Sequence, residues 1–570
     1  MKNTIRIILF LCLGYTSTQG QNYPQNLFTP PLGIPLVLAG TFAELRSNHF
    51  HSGIDIKTNG VTGKKVYAVA DGYVSRIKVS PTGYGKAIYI NHYNGFTSVY
   101  AHLESFSDAV DTFVTNEQYK RETFALNLFP QKDAYKVKQG DIIAISGNSG
   151  GSSAPHLHFE IRNTSTEEPL NPLLFGFKVA DTKAPIIKRL YLYPLNQDTW
   201  INGSNEKQHF DVKKDSYGDY VLKFPDININ GKVGFAIETF DRQNAAPNKN
   251  GVYKIQLLAN DKIIYQHQMH SFAFHETRYI NSLIDFEEKV CCNRKPQKSF
   301  IEPNNKLRIY DENYSEGIID TKEVGIYSMN YNISDVAGNN SLLKFKLISD
   351  TNTFKIEEPK TYQIEFPYNQ ENSFDTEDLS LIFPLGCFYT TVPFHYERQA
   401  AEKDYFSPIH YFSPIETPVH ERFEIRIKPT GLPFTLNDKA VICTFLHDGT
   451  LISAGGKWDN NVLVTKSRNM GSYTIAVDTL APEILYSNLE ENKNFSKTKM
   501  VSIKAIDNLS GISTYKAFVD GNWVLFEYDP KRSLFFHVFD ERTSSGKHIF
   551  EYLFIDNVGN QTTKQFTIYR

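Results

Sequence analysis

Two short segments carry side chains whose types and spacing can do metal-assisted chemistry: His51-Ser52-Gly53-Ile54-Asp55 and Pro155-His156-Leu157-His158-Phe159-Glu160-Ile161-Arg162. In an extended strand successive side chains point to opposite faces, so His156, His158 and Glu160 share one face while Leu157, Phe159 and Ile161 share the other. One face is apolar and belongs to a core; the other sets two imidazoles side by side toward solvent or a groove. Such a pair can supply one metal ligand and one group that works on a bound water. His51 and Asp55 stand four apart and share a face in either a strand or a helix. Gly53 between them, with no Cβ, allows a close backbone turn. An imidazole and a carboxylate from here, with one imidazole from His156 or His158, make three protein ligands. Three ligands and an open fourth position define a catalytic zinc, whereas a structural site closes with a fourth side chain. The nitrogen and oxygen donors suit Zn²⁺ better than Ca²⁺ or Mg²⁺. A third histidine, in Tyr100-Ala101-His102-Leu103, completes the set.

Short strands must position these groups. Apolar alternation marks strands at 66–70, 73–79, 86–92, 97–102 and 141–146, separated by Gly83-Tyr84-Gly85 and by the Gly- and Ser-rich run 147–153. Many short alternating runs at this spacing predict an antiparallel β domain. The segment 105–135 breaks the rhythm with mixed charge and reads as a long, partly helical insertion. Beyond it the chain echoes itself. Asp181-Thr182-Lys183-Ala184-Pro185 recurs as Asp478-Thr479-Leu480-Ala481-Pro482, and Asp335-Val336-Ala337-Gly338-Asn339 recurs as Asp556-Asn557-Val558-Gly559-Asn560. The first motif opens each stretch and the second precedes its last strand, the pattern of a repeated β-sandwich. Hairpin turns are expected at Asn260-Asp261, His447-Asp448-Gly449 and Asp520-Gly521. The region 351–477 reads as β-rich without either echo.

The chain has 570 residues, which suggests about four domains. Lys+Arg 60 against Asp+Glu 63 leaves a net charge of −3, so no basic field speaks for nucleic acid. With 14% aromatic residues the chain is not of the disordered class. No apolar run reaches the roughly 18 residues of a spanning helix. Lys2 and Arg6, the apolar run 7–13 and small residues at Thr18 and Gly20 read as a secretory signal over 1–20, cut after Gly20. Four cysteines then follow, Cys291, Cys292, Cys387 and Cys443, with three pairings open and a bridge between the adjacent two expected to be strained.

Residues 49–175 resemble the M23 peptidases, the lysostaphin-type or LytM-type zinc endopeptidases of bacterial cell walls. The resemblance rests on His51-Ser52-Gly53-Ile54-Asp55-Ile56, Val66-Tyr67-Ala68-Val69-Ala70-Asp71-Gly72-Tyr73-Val74, Val99-Tyr100-Ala101-His102-Leu103, Val137-Lys138-Gln139-Gly140-Asp141, Ser153-Ala154-Pro155-His156-Leu157-His158-Phe159-Glu160 and Asn171-Pro172-Leu173-Leu174, in the family's order. It implies that His51, Asp55 and His158 hold Zn²⁺ and that His102 and His156 are the unligated catalytic histidines. The insertion 105–135 departs from the family's short connection and, entering right after His102, is expected to wall the groove.

The expected fold is mainly β: a small antiparallel LytM-type peptidase domain over 21–178, followed by an immunoglobulin-like β-sandwich over 179–350, a β-rich domain over 351–477 and a second immunoglobulin-like sandwich over 478–570. The expected activity is hydrolysis of peptide cross-links of peptidoglycan, with its peptide stems as substrate and a cell-envelope protein as candidate partner of the sandwiches. The expected place is outside the cytoplasm, in the periplasm or at the cell surface. Two rivals are an endopeptidase acting on glycine-rich proteins and an autoinhibited or non-enzymatic envelope scaffold. Plainer readings cover the neighbours: His49 as a rival to His51, His92 as a hydrogen-bonded framework residue, Glu160 as either an orienter of an imidazole or a surface salt link, and Asp71 as a turn residue. Asp335 and Asp556, each a single carboxylate beside Gly-Asn, fit a tight turn better than calcium.

Overall fold

The computed structural model describes residues 23–311, 316–321, 325–349 and 364–570; the signal read at 1–20 lies outside them, as does the boundary at 350/351. Alternation builds the first domain. In β4 (Gly72–Val79), Val74, Ile77 and Val79 are buried while Tyr73, Ser75 and Arg76 are half-exposed. The strands β1 (Leu38–Gly40), β2 (Ile54–Lys57), β3 (Lys65–Tyr67), β4, β5 (Lys86–His92), β6 (Phe96–Phe106), β7 (Leu126–Leu128), β8 (Lys136–Val137), β9 (Ile142–Ser146), β10 (His156–Asn163) and β11 (Pro169–Leu170) join in one sheet. Its main path runs β1-β2-β10-β6-β5-β4-β7, with β3 and β9 paired and β9 also joined to β6. The pairings are antiparallel, as expected. One core fills it, with Ile54, Ile56, Leu157, Phe159 and Ile161 fully buried.

The insertion departs from expectation in its role. It extends β6 and then forms α1 (Asp108–Arg121), whose acidic Asp108 and Asp111 lie in the first turn and basic Lys120 and Arg121 in the last, complementing the helix dipole. Val110, Val114 and Gln118, spaced by four, face the core. The exposed side meets the C-terminal domain: Tyr119 packs edge-on against Trp523 at 5.2 Å, and the Arg542 guanidinium stands 4.1 Å over the Tyr119 ring.

Among the described residues the remainder is mainly β, with short helices at 280–283 and 286–292. Between residues 186 and 349, ten strands are joined through hydrogen bonds into one network. The link is one strand of 21 residues, Tyr220–Phe240, that pairs with Ile186–Pro194 along one part and with Asn340–Ser349 along another. Gly231, at φ +85, lets this strand pass Thr199, whose Oγ1 would lie 2.5 Å from an added Cβ. Residues 364–477 build a six- and a five-stranded sheet around Phe383, Phe388, Phe412 and Phe423, and residues 483–569 a four- and a five-stranded sheet around Phe535, Phe550 and Phe554. The turns at Asn260-Asp261 and Asp520-Gly521 have positive φ at both residues, the tight hairpin form. Cys291 and Cys292 are joined to each other, and Cys387 and Cys443 are free and buried.

A further apolar cluster crosses between the first two domains. Phe42 and Phe50, from the loop before β2, pack with Met269, Phe272, Tyr279 and Ile280. Among the described residues no helix is long and apolar enough to cross a membrane.

Candidate metal centre

The topology sets the site on three neighbouring strands. β10 lies between β2 and β6, with His158 opposite Asp55 on one side and Ala101 on the other. Gly53 is required where the chain enters β2: an added Cβ would lie 2.2 Å from the Phe159 carbonyl oxygen. His102 follows Ala101 at φ +59, where the β5–β6 register shifts. Bulges and left-handed non-glycine residues re-aim side chains next to active sites. The Tyr84 carbonyl accepts from the His102 N–H at 2.9 Å and fixes this kink.

Three donor atoms converge. His51 Nε2, Asp55 Oδ1 and His158 Nδ1 each stand 3.0 Å from the other two. All three residues are buried. Outer hydrogen bonds assign the tautomers. His51 Nδ1 lies 2.7 Å from the Thr41 carbonyl oxygen, which only accepts, so Nδ1 carries the proton and Nε2 turns a lone pair inward. His158 Nε2 donates to Glu160 Oε1 at 2.8 Å and leaves Nδ1 inward. Asp55 Oδ2 takes Arg46 Nη2 at 2.8 Å, which reserves Oδ1 for the centre. Three acceptors facing one another call for a positive charge between them. Burial opposes charge on His158, yet the Asp55 and Glu160 carboxylates outweigh it and raise its pKa to about 9. Burial likewise works to raise the Asp55 carboxyl, and His51, His156 and His158 hold it well below the usual range.

The other two histidines flank this triangle. His156 Nδ1 donates to the Ala154 carbonyl at 2.8 Å, and its Nε2 is 3.3 Å from Asp55 Oδ1. His102 Nδ1 donates to the Ser149 carbonyl at 2.9 Å, leaving Nε2 as a proton acceptor. Burial, with the His158 and His156 imidazoles beside it, pushes His102 down to about 3. Their rings lie 4.8 Å apart for the His102–His156 pair.

Of the two readings of Glu160, the orienting one describes the structure. It is fully buried and accepts from Ser52 Oγ at 2.6 Å, Tyr84 Oη at 2.5 Å, His158 Nε2 and Arg162 Nε at 2.6 Å. Burial favours its acid form, but Arg162 and the hydrogen bond from His158 keep it ionised. His92 is a framework residue, bonded at Nδ1 to the Asp71 carbonyl and at Nε2 to Ser98 Oγ. His49 is exposed and stands outside the triangle.

Thr41, Arg46, Tyr84 and Ser149 escape sequence reasoning because they act through contacts between distant segments. Tyr84 alone had a signal in its flanking glycines: a Cβ on Gly85 would meet Ser149 Oγ at 2.4 Å, so the connector presses against the 149–150 backbone. The groove over the site has a volume of about 1210 Å³. Its lining includes no residue of 105–135, so the insertion does not wall it. The wall comes from the second domain instead, through Asn248, Lys249, Phe274, Thr277 and Lys295. Thr41 links the two domains: its carbonyl holds His51 while its Oγ1 accepts from the Gly251 N–H at 3.1 Å.

Known proteins match parts of this chain. The model of peptidase family M23 covers residues 49–119 and 125–172, and that of a Zu5-like domain covers residues 363–478. The DD-carboxypeptidase/endopeptidase Mpg of Neisseria meningitidis is 33% identical over 129 residues, 23% of this chain and 23% of its own. The murein hydrolase activator NlpD of Escherichia coli is 34% identical over 125 residues, 22% of this chain and 26% of its own. This chain thus spans about a quarter of the length of these relatives. The solved catalytic domain of the prophage-encoded M23 protein EnpA from Enterococcus faecalis is 24% identical, covering 27% of this chain and 96% of that one, with a TM-score of 0.19. The domain that carries the His51, Asp55 and His158 triangle is thus the part of this chain that matches peptidase family M23.

Proposed function

We propose that this protein is an exported zinc metalloendopeptidase that hydrolyses the peptide cross-links of bacterial peptidoglycan. The observation that carries the reading is the triangle of two inward lone pairs and one carboxylate oxygen, each pair 3.0 Å apart. Two ligands of a tetrahedral zinc stand about 3.3 Å apart at ordinary bond lengths, so the donor set and its size fit the ion. His51, Asp55 and His158 would hold it. When bound, zinc lowers the pKa of a coordinated water toward about 7 and polarises a carbonyl.

The remaining work falls to the chain. His102, neutral at physiological pH, accepts a proton at Nε2 and returns it to the departing amine. His156, held by the Ala154 carbonyl, presents its Nε2 beside the same centre and, when protonated, donates to the oxyanion that develops on the scissile carbonyl. Glu160 and Thr41 fix the rings of His158 and His51. Lys249 and Lys295 line the same groove.

The name of one matched relative, the murein hydrolase activator NlpD, supports a substrate in peptidoglycan. Mass spectrometry of muropeptides released from purified sacculi, with and without a chelator, tests the reading. Chelator-sensitive release of uncross-linked stems is expected. Intact sacculi beside a digested glycine-rich protein would transfer the activity to the rival substrate. Zinc bound without turnover on either would leave a scaffold or activator.

A further inference from the structure

The two echoed motifs meet in space. In the second domain Asn339 donates its backbone N–H to Asp335 Oδ1 at 2.9 Å and its Nδ2 to Asp335 Oδ2 at 2.7 Å, and Ser341 Oγ reaches the Pro185 carbonyl at 2.5 Å. In the C-terminal domain Asn560 makes the same two bonds to Asp556, at 2.9 and 2.7 Å, and Thr562 Oγ1 reaches the Pro482 carbonyl at 2.6 Å. The opening segment is thus strapped to the closing turn in both. Each junction gathers a third carboxylate that neither motif contains. Ligand oxygens of Asp181, Asp241 and Asp335 lie within 4.8 Å of one another, and so do those of Asp478, Asp507 and Asp556.

The first of these clusters has a second feature that a tight turn does not explain. Asp241 is 2% exposed, and its Oδ1 has no hydrogen-bond partner. Gln243, 4% exposed, lines the same cavity of about 200 Å³ as the three aspartates, and its Oε1 also lacks a donor. Buried acceptors without donors are costly, and the cost rises where like charges crowd. Lys183 is exposed and sets its Nζ on the Gln243 backbone carbonyl at 3.2 Å. At the C-terminal cluster the corresponding third carboxylate, Asp507, likewise has an Oδ1 without a partner.

We propose that Asp181, Asp241 and Asp335, with the side-chain carbonyl of Gln243, form a calcium-binding site at the junction of the peptidase and second domains. The candidate ligand atoms are carboxylate and amide oxygens, the donor class of hard cations, with no imidazole or thiolate among these residues to favour zinc. Two oxygens on opposite sides of Ca²⁺, at bonds of about 2.4 Å, stand about 4.8 Å apart, and its coordination shell tolerates the irregular placement seen here. Mg²⁺ demands a tighter octahedron and keeps its waters. The cavity is also lined by Thr41 and Phe42, so the ion would sit where the two domains meet. The turn expected at Asp335 is formed through Asn339, and Asp181 and Asp241, from 154 and 94 residues earlier in the chain, add two carboxylates beside it.

Equilibrium dialysis of the zinc-loaded full chain against about 1 mM CaCl₂, in the range of extracellular calcium modules, tests this with elemental analysis of both metals. Asp241→Asn is expected to hold one calcium ion fewer per chain than the wild type while its zinc content stays unchanged. Asp181→Asn, on a less buried side chain, repeats the loss if the first variant does not fold. Thermal unfolding supplies a sign test: in a calcium-selective chelator Asp241→Asn unfolds at the same or a higher temperature than the wild type, and in calcium at a lower one. Equal calcium content in wild type and both variants, or an order of unfolding temperatures that calcium does not invert, overturns the proposal.

Discussion

Each histidine of the site has one nitrogen committed outward, and that commitment separates their roles. His51 and His158 give their outer protons to Thr41 and Glu160 and face each other across Asp55. His158→Ala and Asp55→Ala are therefore expected to lose both bound zinc and turnover on sacculi. His102→Ala should retain zinc by elemental analysis while the rate falls about 100- to 10,000-fold, the share of a general acid–base group. A His102→Ala enzyme with unchanged turnover removes His102 from the mechanism. Glu160→Gln keeps the shape but weakens the acceptor for His158 Nε2, and a zinc affinity about 10- to 100-fold lower is expected from competition with a chromophoric chelator.

At the scale of elements, close approach decides what substitutions are tolerated. A Cβ added at Gly53 would collide with a backbone oxygen of β10, whereas at Gly33 the nearest atom, on the Tyr67 ring, is 3.5 Å away. Gly53→Ala is expected to cost about 1–3 kcal/mol in denaturant melts, the usual range for overpacking, and Gly33→Ala much less. Strands were the legible part of the fold. The pattern located 86–92 to the residue and 73–79 to within one: the second alternates against one core, while 86–92 buries Ile88 and Ile90 on one face and Ala87 and Tyr89 on the other. It also put His156, His158 and Glu160 on one face correctly. What it did not reveal is set by long-range pairing: the 21-residue strand shared along its length, the register shift that turns His102, and the carboxylates brought to Asp335 from elsewhere. The role of α1 was equally hidden, since Tyr119 finds Trp523 only after about four hundred intervening residues have folded.

For the whole molecule, buried histidines in the later domains set the response to acid. Burial pushes His267 down to about 3, and His410 and His420 to about 4. Nε2 of His267 and of His410 has no partner. Their folded pKa values lie below the ordinary 6.5, so as pH falls the unfolded chain takes up protons first. The stability they contribute is complete above pH 6.5 and is lost as pH falls toward the folded values. For fully buried His267 the slope is about 1.4 kcal/mol per pH unit below 6.5. Urea melts at stepped pH check this, and His267→Gln should flatten the slope.

Thr41 is a single residue that grips an imidazole with its carbonyl and the neighbouring domain with its hydroxyl. The same residue thus ties the contact between the two domains to the ring of His51. Through this residue the posture of the second domain bears on the seat of His51.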